Sequence, residues 1–301
     1  MWIKGNLHCH TNESDGDTEP SEVCCFYANH GYHFLSITDH SRRVDPETVD
    51  PHGLLFIAGE EMGTYGADKP DAPLHVNGIG IGRHLPCETA ATMVQAIQGC
   101  IDAVTANGGI AQINHPNWHY AFDHTTIAQT RGAQLLEVFN GHPDVNNLGD
   151  QEHISVEAMW DHLLTSGMLI YATAVDDAHH YVEFAPNKAN PLRGWIWVRV
   201  ERPSVDDVMT ALRRGDFYAS TGVELEDVII GRNSLRVIVR KLPGVTYVTK
   251  FIGPGGRVLE ESKLTDSSFA FDGKQGYVRA KVISSDGKTA WTQPAFTSGL
   301  D

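Results

Sequence analysis

Short apolar runs alternate with amphipathic stretches along the first two thirds of the 301-residue chain, and the texture then changes to period-two alternation. Residues 2–7 read as a strand that ends at His8-Cys9-His10. Thr18-Glu19-Pro20-Ser21-Glu22 carries a helix start, with proline in the first turn and acids near the N-terminus, and Gly31 closes that helix. Residues 34–38 form a second buried run ending at His40, residues 54–58 a third ending before Glu60-Glu61, and residues 75–81 an alternating fourth. A long helix over about 89–107, stopped by Gly108-Gly109, leads to a strand at 110–113 that ends at Asn114-His115-Pro116. A short helix near 125–130, a strand at 134–139 carrying Glu137, a helix at 155–166 and a strand at 168–174 ending before Asp176-Asp177 complete the series.

Strands that alternate with helices predict a parallel sheet, and about seven such units predict a closed barrel with its chemistry at the C-terminal strand ends. After a last helix at 205–214 the runs 235–239, 245–252 and 277–283 alternate apolar and polar residues between Gly, Pro, Asp and Asn turns. The expected fold class is therefore α/β: a barrel over residues 1–222 and a small antiparallel, sandwich-like β module over 223–301.

Composition narrows the function classes. The chain is 41% hydrophobic and 20% charged, ordinary globular usage with enough residues for a large core. Its formal charge of −15 argues against a grip on a nucleic-acid polymer, which needs a basic face. No apolar run reaches the roughly 20 residues of a membrane span, and no basic, apolar leader opens the sequence, so a cytoplasmic location is the expectation. Five cysteines, odd in number and without a Cys-x-x-Cys, predict reduced thiols rather than a disulfide framework.

The candidate chemistry lies in four pieces: His8-x-His10 with Asp15, Thr38-Asp39-His40, His115-Pro116 and Asp177-x-His179. With 16 histidines in the chain, about one His-x-His arises by chance, so position carries the signal: nearly every piece falls at a predicted strand end. Together with Gly59-Glu60-Glu61 and His75, these residues resemble the polymerase and histidinol phosphatase (PHP) superfamily over about residues 1–180. That resemblance implies a distorted (β/α)7 barrel, two or three divalent ions, and phosphoester hydrolysis as the commonest activity.

Residue by residue, the resemblance gives one ion His8, His10, Asp177 and Glu61, has Glu61 bridge to a second held by His75 and His115, and places Asp15, His40 and His179 on a third. Asp177, His179 and Glu61 form the catalytic set. Mixed imidazole and carboxylate shells without thiolate suit Zn, Mn or Fe. Three such ions would bring the formal charge from −15 to about −9. Water bridging two ions becomes acidic enough to attack a phosphoryl group in line.

Arg193, and Arg42 or Arg43, are the cationic candidates for the phosphate, and His119, His142 and His180 are candidates to face the substrate and protonate its leaving oxygen. Asp39, Asp176, Glu137 and Asn140 are expected to orient ligands. Trp118, Trp195 and Trp197 either stack on a substrate ring or pack between barrel and β module.

The expected activity is hydrolysis of a small phosphorylated metabolite such as a nucleotide or sugar phosphate. The same site acting on a carbohydrate or amide bond, or a non-catalytic metal-binding scaffold, are the alternatives. The stretch between His75 and His115 is mostly one helix, so the inserted domain of some small-molecule relatives is absent, and their nucleotide preference does not transfer. The β module caps the pocket, recognises a glycan-like group or makes a homo-oligomer contact.

Overall fold

The computed structural model describes residues 1–297. Its elements run β1 (Trp2–Asn6), α1 (Pro20–Asn29), β2 (Phe34–Ile37), β3 (Leu55–Gly66), β4 (Lys69–Ile79), α2 (Met93–Ala106), β5 (Ile110–Ile113), α3 (His124–Ile127), β6 (Leu135–Asn140), α4 (Val156–Thr165) and β7 (Tyr171–Val175). There follow β8 (Trp195–Arg199), α5 (Val205–Arg214), β9 (Phe217–Ser220), β10 (Leu225–Ile230), β11 (Ser234–Val239), β12 (Tyr247–Gly253), β13 (Arg257–Ser262), β14 (Asp266–Ala270), β15 (Tyr277–Ser284), β16 (Thr289–Thr292) and β17 (Ala295–Phe296).

Side-chain caps start α2, α4 and α5. Ser204 accepts from Asp207 N–H at 3.1 Å, Asp206 and Asp207 sit in the first turn of α5, Arg213 and Arg214 in its last, and Gly215 ends it at φ 75°. Ser155 caps α4 and Thr92 caps α2 in the same way.

One long mixed sheet runs β13-β12-β15-β16-β9-β8-β1-β2-β3-β4-β5-β6-β7. Within β1–β7 the pairs β1·β2, β2·β3, β5·β6 and β6·β7 are parallel, while β3·β4 and β4·β5 are antiparallel. The parallel sheet expected from the sequence is therefore corrected at its middle. β3 does not end at Ala58 but continues through Glu60 and Glu61 to Gly66 and turns back as β4, a hairpin without a helix. The two ends of the β1–β7 arc meet just beyond the strands, where Cys9 bridges Ala178, Asp177 N–H donates to the His8 carbonyl at 2.9 Å, and His10 N–H donates to that of Ala178 at 2.9 Å.

The antiparallel strands β10 to β17 follow β9, and residues 298–301 of the expected module lie outside the described ones. A three-stranded sheet, β10-β11-β14, packs on the far end of the long sheet around Leu235, Val237, Phe251, Val278 and Val282. The module is not hung on a linker, because β16 pairs with β9, which continues through β8 to β1. Trp197 packs against the module's core, and Trp195 lies over Lys4, so these two rings are packing elements and not a substrate platform.

A buried charge cluster joins the module to α4. Arg279 of β15, 1% exposed, reaches Asp161 at 2.6 Å and Glu157 at 2.9 Å, and Tyr277 donates to Asp161 at 2.7 Å. Breaking such a pair strands the remaining charge. Among the described residues no helix is long and apolar enough to cross a membrane.

One expectation about cysteines is overturned: Cys87 and Cys100 are joined as a disulfide, because the loop after β4 lies across α2 and brings their Cα atoms to 5.4 Å. Cys9, Cys24 and Cys25 are free. Asp161→Ala is expected to lower unfolding stability by about 3 kcal/mol in urea titrations, whereas the Asp161→Leu, Arg279→Met pair recovers most of that loss.

Candidate metal centre

His8 and His10 lie on the extension of β1, two residues apart and so on one face, while Cys9 between them turns into the apolar cluster with Val23, Leu35 and Ala178. Glu60 and Glu61 separate by the same alternation. Glu61 faces the histidines, and Glu60 points the other way, accepting from Leu85 N–H at 2.5 Å and contacting His84 at 2.6 Å. Gly59 permits this approach of β3 to β2, since a Cβ there would lie 2.5 Å from Ser36 Oγ. Asp15 is presented by a turn that Asp39 holds, accepting from Thr11 N–H at 2.7 Å, Thr11 Oγ1 at 2.6 Å and Ser14 Oγ at 2.5 Å.

The donors converge on shared points. His8 Nε2 and His10 Nε2 are 3.1 Å apart, and each lies 3.3 Å from Glu61 Oε2; Asp177 Oδ1 is 3.2 and 3.1 Å from them. An ion bound tetrahedrally at about 2.1 Å spaces its donors by about 3.4 Å, so the quartet has the edge lengths of a coordination shell. The other Glu61 oxygen faces His75 Nδ1 at 3.0 Å and His115 Nε2 at 3.2 Å. Asp15 lies 3.4 Å from His179 Nε2, 3.5 Å from His40 Nε2 and 3.7 Å from His10 Nδ1. His40 also turns Nδ1 to Glu61 at 3.1 Å and so faces two groups.

The donor set fits divalent ions on a second count: the buried His10 Nδ1 and His75 Nδ1 have no hydrogen-bond partner, although carboxylate oxygens lie close by. Lone pairs aimed at a common centre leave that signature. His115 and Asp177 also hold φ at 22° and 50°, a left-handed conformation costly for side chains with a Cβ, which marks functional sites.

A second layer fixes the ligands. Glu137 contacts His8 Nδ1 at 2.6 Å and accepts from His115 N–H at 2.9 Å, which leaves His8 Nε2 free for a metal. Asn140 donates to Asp177 at 3.0 Å, and Asn114 to Glu61 at 2.8 Å. Asn114, with Asn77 and Gln112 behind it, is the part that sequence reasoning missed, and its signal was its place beside His115 at a strand end. Asp39 and Asp176 orient no imidazole. Asp39 shapes the Asp15 turn, and Asp176 accepts from Arg193 N–H, Gly194 N–H and Tyr27 at 2.6 to 2.9 Å, tying β7 to the segment before β8.

Electrostatics follow from this crowding. Burial alone would push the Glu61 and Asp177 carboxyls up, yet the surrounding imidazoles hold both well below the usual range. Burial opposes charge on His8 too, but Asp177, Glu61 and Glu137 raise it well above an ordinary histidine. His40, despite burial, is pushed up to about 9 by Asp15 and Glu61. Burial outweighs Glu61 at His75, which is lowered.

No protein-family profile and no curated protein matches the chain. Among solved structures, a two-domain protein of Bacteroides vulgatus, containing a predicted PHP-like metal-dependent phosphoesterase, aligns over 98% of this chain and 88% of its own. The TM-score is 0.54 at 16% identity. The chain has a PHP-like fold.

An amidohydrolase from Chromobacterium violaceum aligns at TM-score 0.43 and 18% identity over 62% of this chain and 94% of its own. A protein assigned as a metal-dependent phosphoesterase from Bifidobacterium adolescentis aligns at 0.44 and 16% over 70% and 96%.

In this PHP-like fold a cavity of about 340 Å³ opens over the donors, and Trp118, His119, His142, Asp144 and His180 form its rim. The arginines chosen from sequence are not at it. Arg193 spends its guanidinium on the carbonyls of Gly141 and Lys188, each at 2.7 Å. Arg42 pairs with Glu13 in a separate depression, and Arg43 donates to the Ile81 carbonyl at 2.9 Å. All nine predicted metal ligands are brought together.

Glu137→Gln is expected to weaken divalent-metal affinity by about 10- to 100-fold in chelator competition. His40, with its pKa near 9, is protonated at pH 7.5, so metal uptake there releases at least one proton, and affinity rises with pH until about 9. Calorimetry in buffers of different ionisation enthalpy measures that release.

Proposed function

We propose that this protein is a metal-dependent phosphoesterase acting on a small phosphorylated molecule, and that the β1–β7 arc is a distorted barrel whose seam is the Cys9–Ala178 bridge. The observation that carries the reading is Glu61, which turns one oxygen to His8, His10 and Asp177 and the other to His75 and His115. A carboxylate in that position would bridge two ions, and Asp15, His40 and His179 would hold a third. Zn, Mn or Fe suits such oxygen and imidazole shells. Divalent ions held there would supply Lewis acidity to the phosphoryl group and acidify the attacking water.

The chain's own residues do the rest. Asp177 and Glu61 keep their negative charge deep in the fold and draw cations into the cavity. Asn114 and Asn140 fix the carboxylate rotamers, so the donors need no reorganisation when substrate arrives. Burial pushes His142 below the ordinary imidazole range, so it is neutral at pH 7. Its Nδ1 accepts from Asp144 N–H at 3.2 Å, which puts the ring proton on Nε2 as a donor for a phosphoryl oxygen. His119 and His180 line the same rim and are the candidates to protonate the leaving oxygen.

The metal-loaded protein is expected to release phosphate from a chromogenic phosphoester. Asp177→Asn lowers kcat by about a hundredfold or more, the equivalent of about 2.7 kcal/mol of barrier. A loaded protein inactive on every phosphoester in a metabolite panel contradicts the reading.

A further inference from the structure

The rim of the cavity carries information about the leaving group that the metal ligands do not. Among the described residues lining it there is no lysine or arginine; the non-ligands are Trp118, three histidines and Asp144. Asp144 is 71% exposed on its side chain, with His142 as its nearest titratable partner at 4.0 Å. Its carboxyl group is part of the lining at the cavity entrance. Trp118 is half-buried, its ring packed 5.1 Å from that of His75 and 5.3 Å from that of His115, which fixes its orientation beside the site where phosphorus would sit. The volume, about 340 Å³, lies at the small end of ligand cavities.

We propose that the site selects esters carrying one phosphoryl group on an uncharged, ring-bearing alcohol, with Trp118 as the platform for the ring and Asp144 as a gate against a second anionic group. The inference rests on the phosphoesterase reading. A single phosphoryl group meets its counter-charge in the metal centre. A second phosphate at the far end of the same molecule meets no lysine or arginine at the rim and comes near the Asp144 carboxylate, a like charge that repels it. A sugar ring offers Trp118 a flat C–H surface at little entropic cost, because it is already rigid.

Matched substrates test both parts on the metal-loaded protein. For the gate, kcat/KM is compared for glucose 6-phosphate and glucose 1,6-bisphosphate. Wild type is expected to favour the monophosphate by about tenfold or more, Asp144→Asn to bring the ratio close to one, and Asp144→Lys to invert it. For the platform, glucose 6-phosphate is compared with open-chain sorbitol 6-phosphate. Trp118→Ala is expected to raise KM for the ring substrate about tenfold while leaving the open-chain one unchanged, a difference that general damage to the metal centre does not produce. If phosphate is released but neither ratio moves in the variants, this inference is overturned and the phosphoesterase reading stands. If neither the sugars nor a chromogenic phosphoester is cleaved, the phosphoesterase reading itself falls, and the inference with it.

Discussion

A single carboxylate, Glu61, is the constraint on which the site depends. It is 1% exposed, and imidazoles from four chain segments crowd around it, at His8 and His10, His40, His75 and His115. Burying an anion at that depth is costly unless cations or donors surround it. Here they do so only because strands from across the sheet deliver them together. The extension of β1 brings two, the end of β2 one, the hairpin strand β4 one and the end of β5 one. Asp177, at the end of β7, closes the ring on the opposite side of His8 and His10. The bridge at Cys9–Ala178 holds Asp177 and His8 in register within that ring.

The rest of the molecule supports that geometry at a distance. Asp176, the neighbour of Asp177, is fully buried and knits β7 to the 192–194 segment and to Tyr27 and Asn6. Burial pushes its carboxyl up, and the hydrogen bonds it accepts offset part of that cost. Arg193, anchored on Gly141 and Lys188 carbonyls, clips the loops after β6 and β7 to each other. The β module extends the sheet through β9 and β16 and is bolted to α4 by Arg279, Asp161 and Glu157, so the scaffold behind β6 and β7 is continuous with it.

Much of the site was legible because metal ligands need specific residue types at specific strand ends, and both are written locally. His8-x-His10 on an extended segment, Asp177-x-His179 after a buried run and His115 after another could each be placed from patterning. Glu61 was chosen over Glu60 only through resemblance; in the structure, strand alternation turns Glu61 toward the histidines and Glu60 away, because β3 runs on past both. That continuation was hidden, since the polar run 65–73 resembles a loop in sequence and becomes strand only by pairing across the β3–β4 hairpin. The role of Arg193 was not legible either: an arginine aimed at a phosphate and one capping backbone carbonyls have the same sequence context. The Cys87–Cys100 disulfide depends on how a loop lies across α2, a tertiary fact that composition contradicts.

If Glu61 bridges ions held by the flanking imidazoles, anomalous diffraction from crystals loaded with manganese shows one peak within about 2.2 Å of His8, His10, Asp177 and one Glu61 oxygen, and a second at similar distance from His75, His115 and the other Glu61 oxygen. Peaks elsewhere, or none at bonding distance from either Glu61 oxygen, would contradict that bridge.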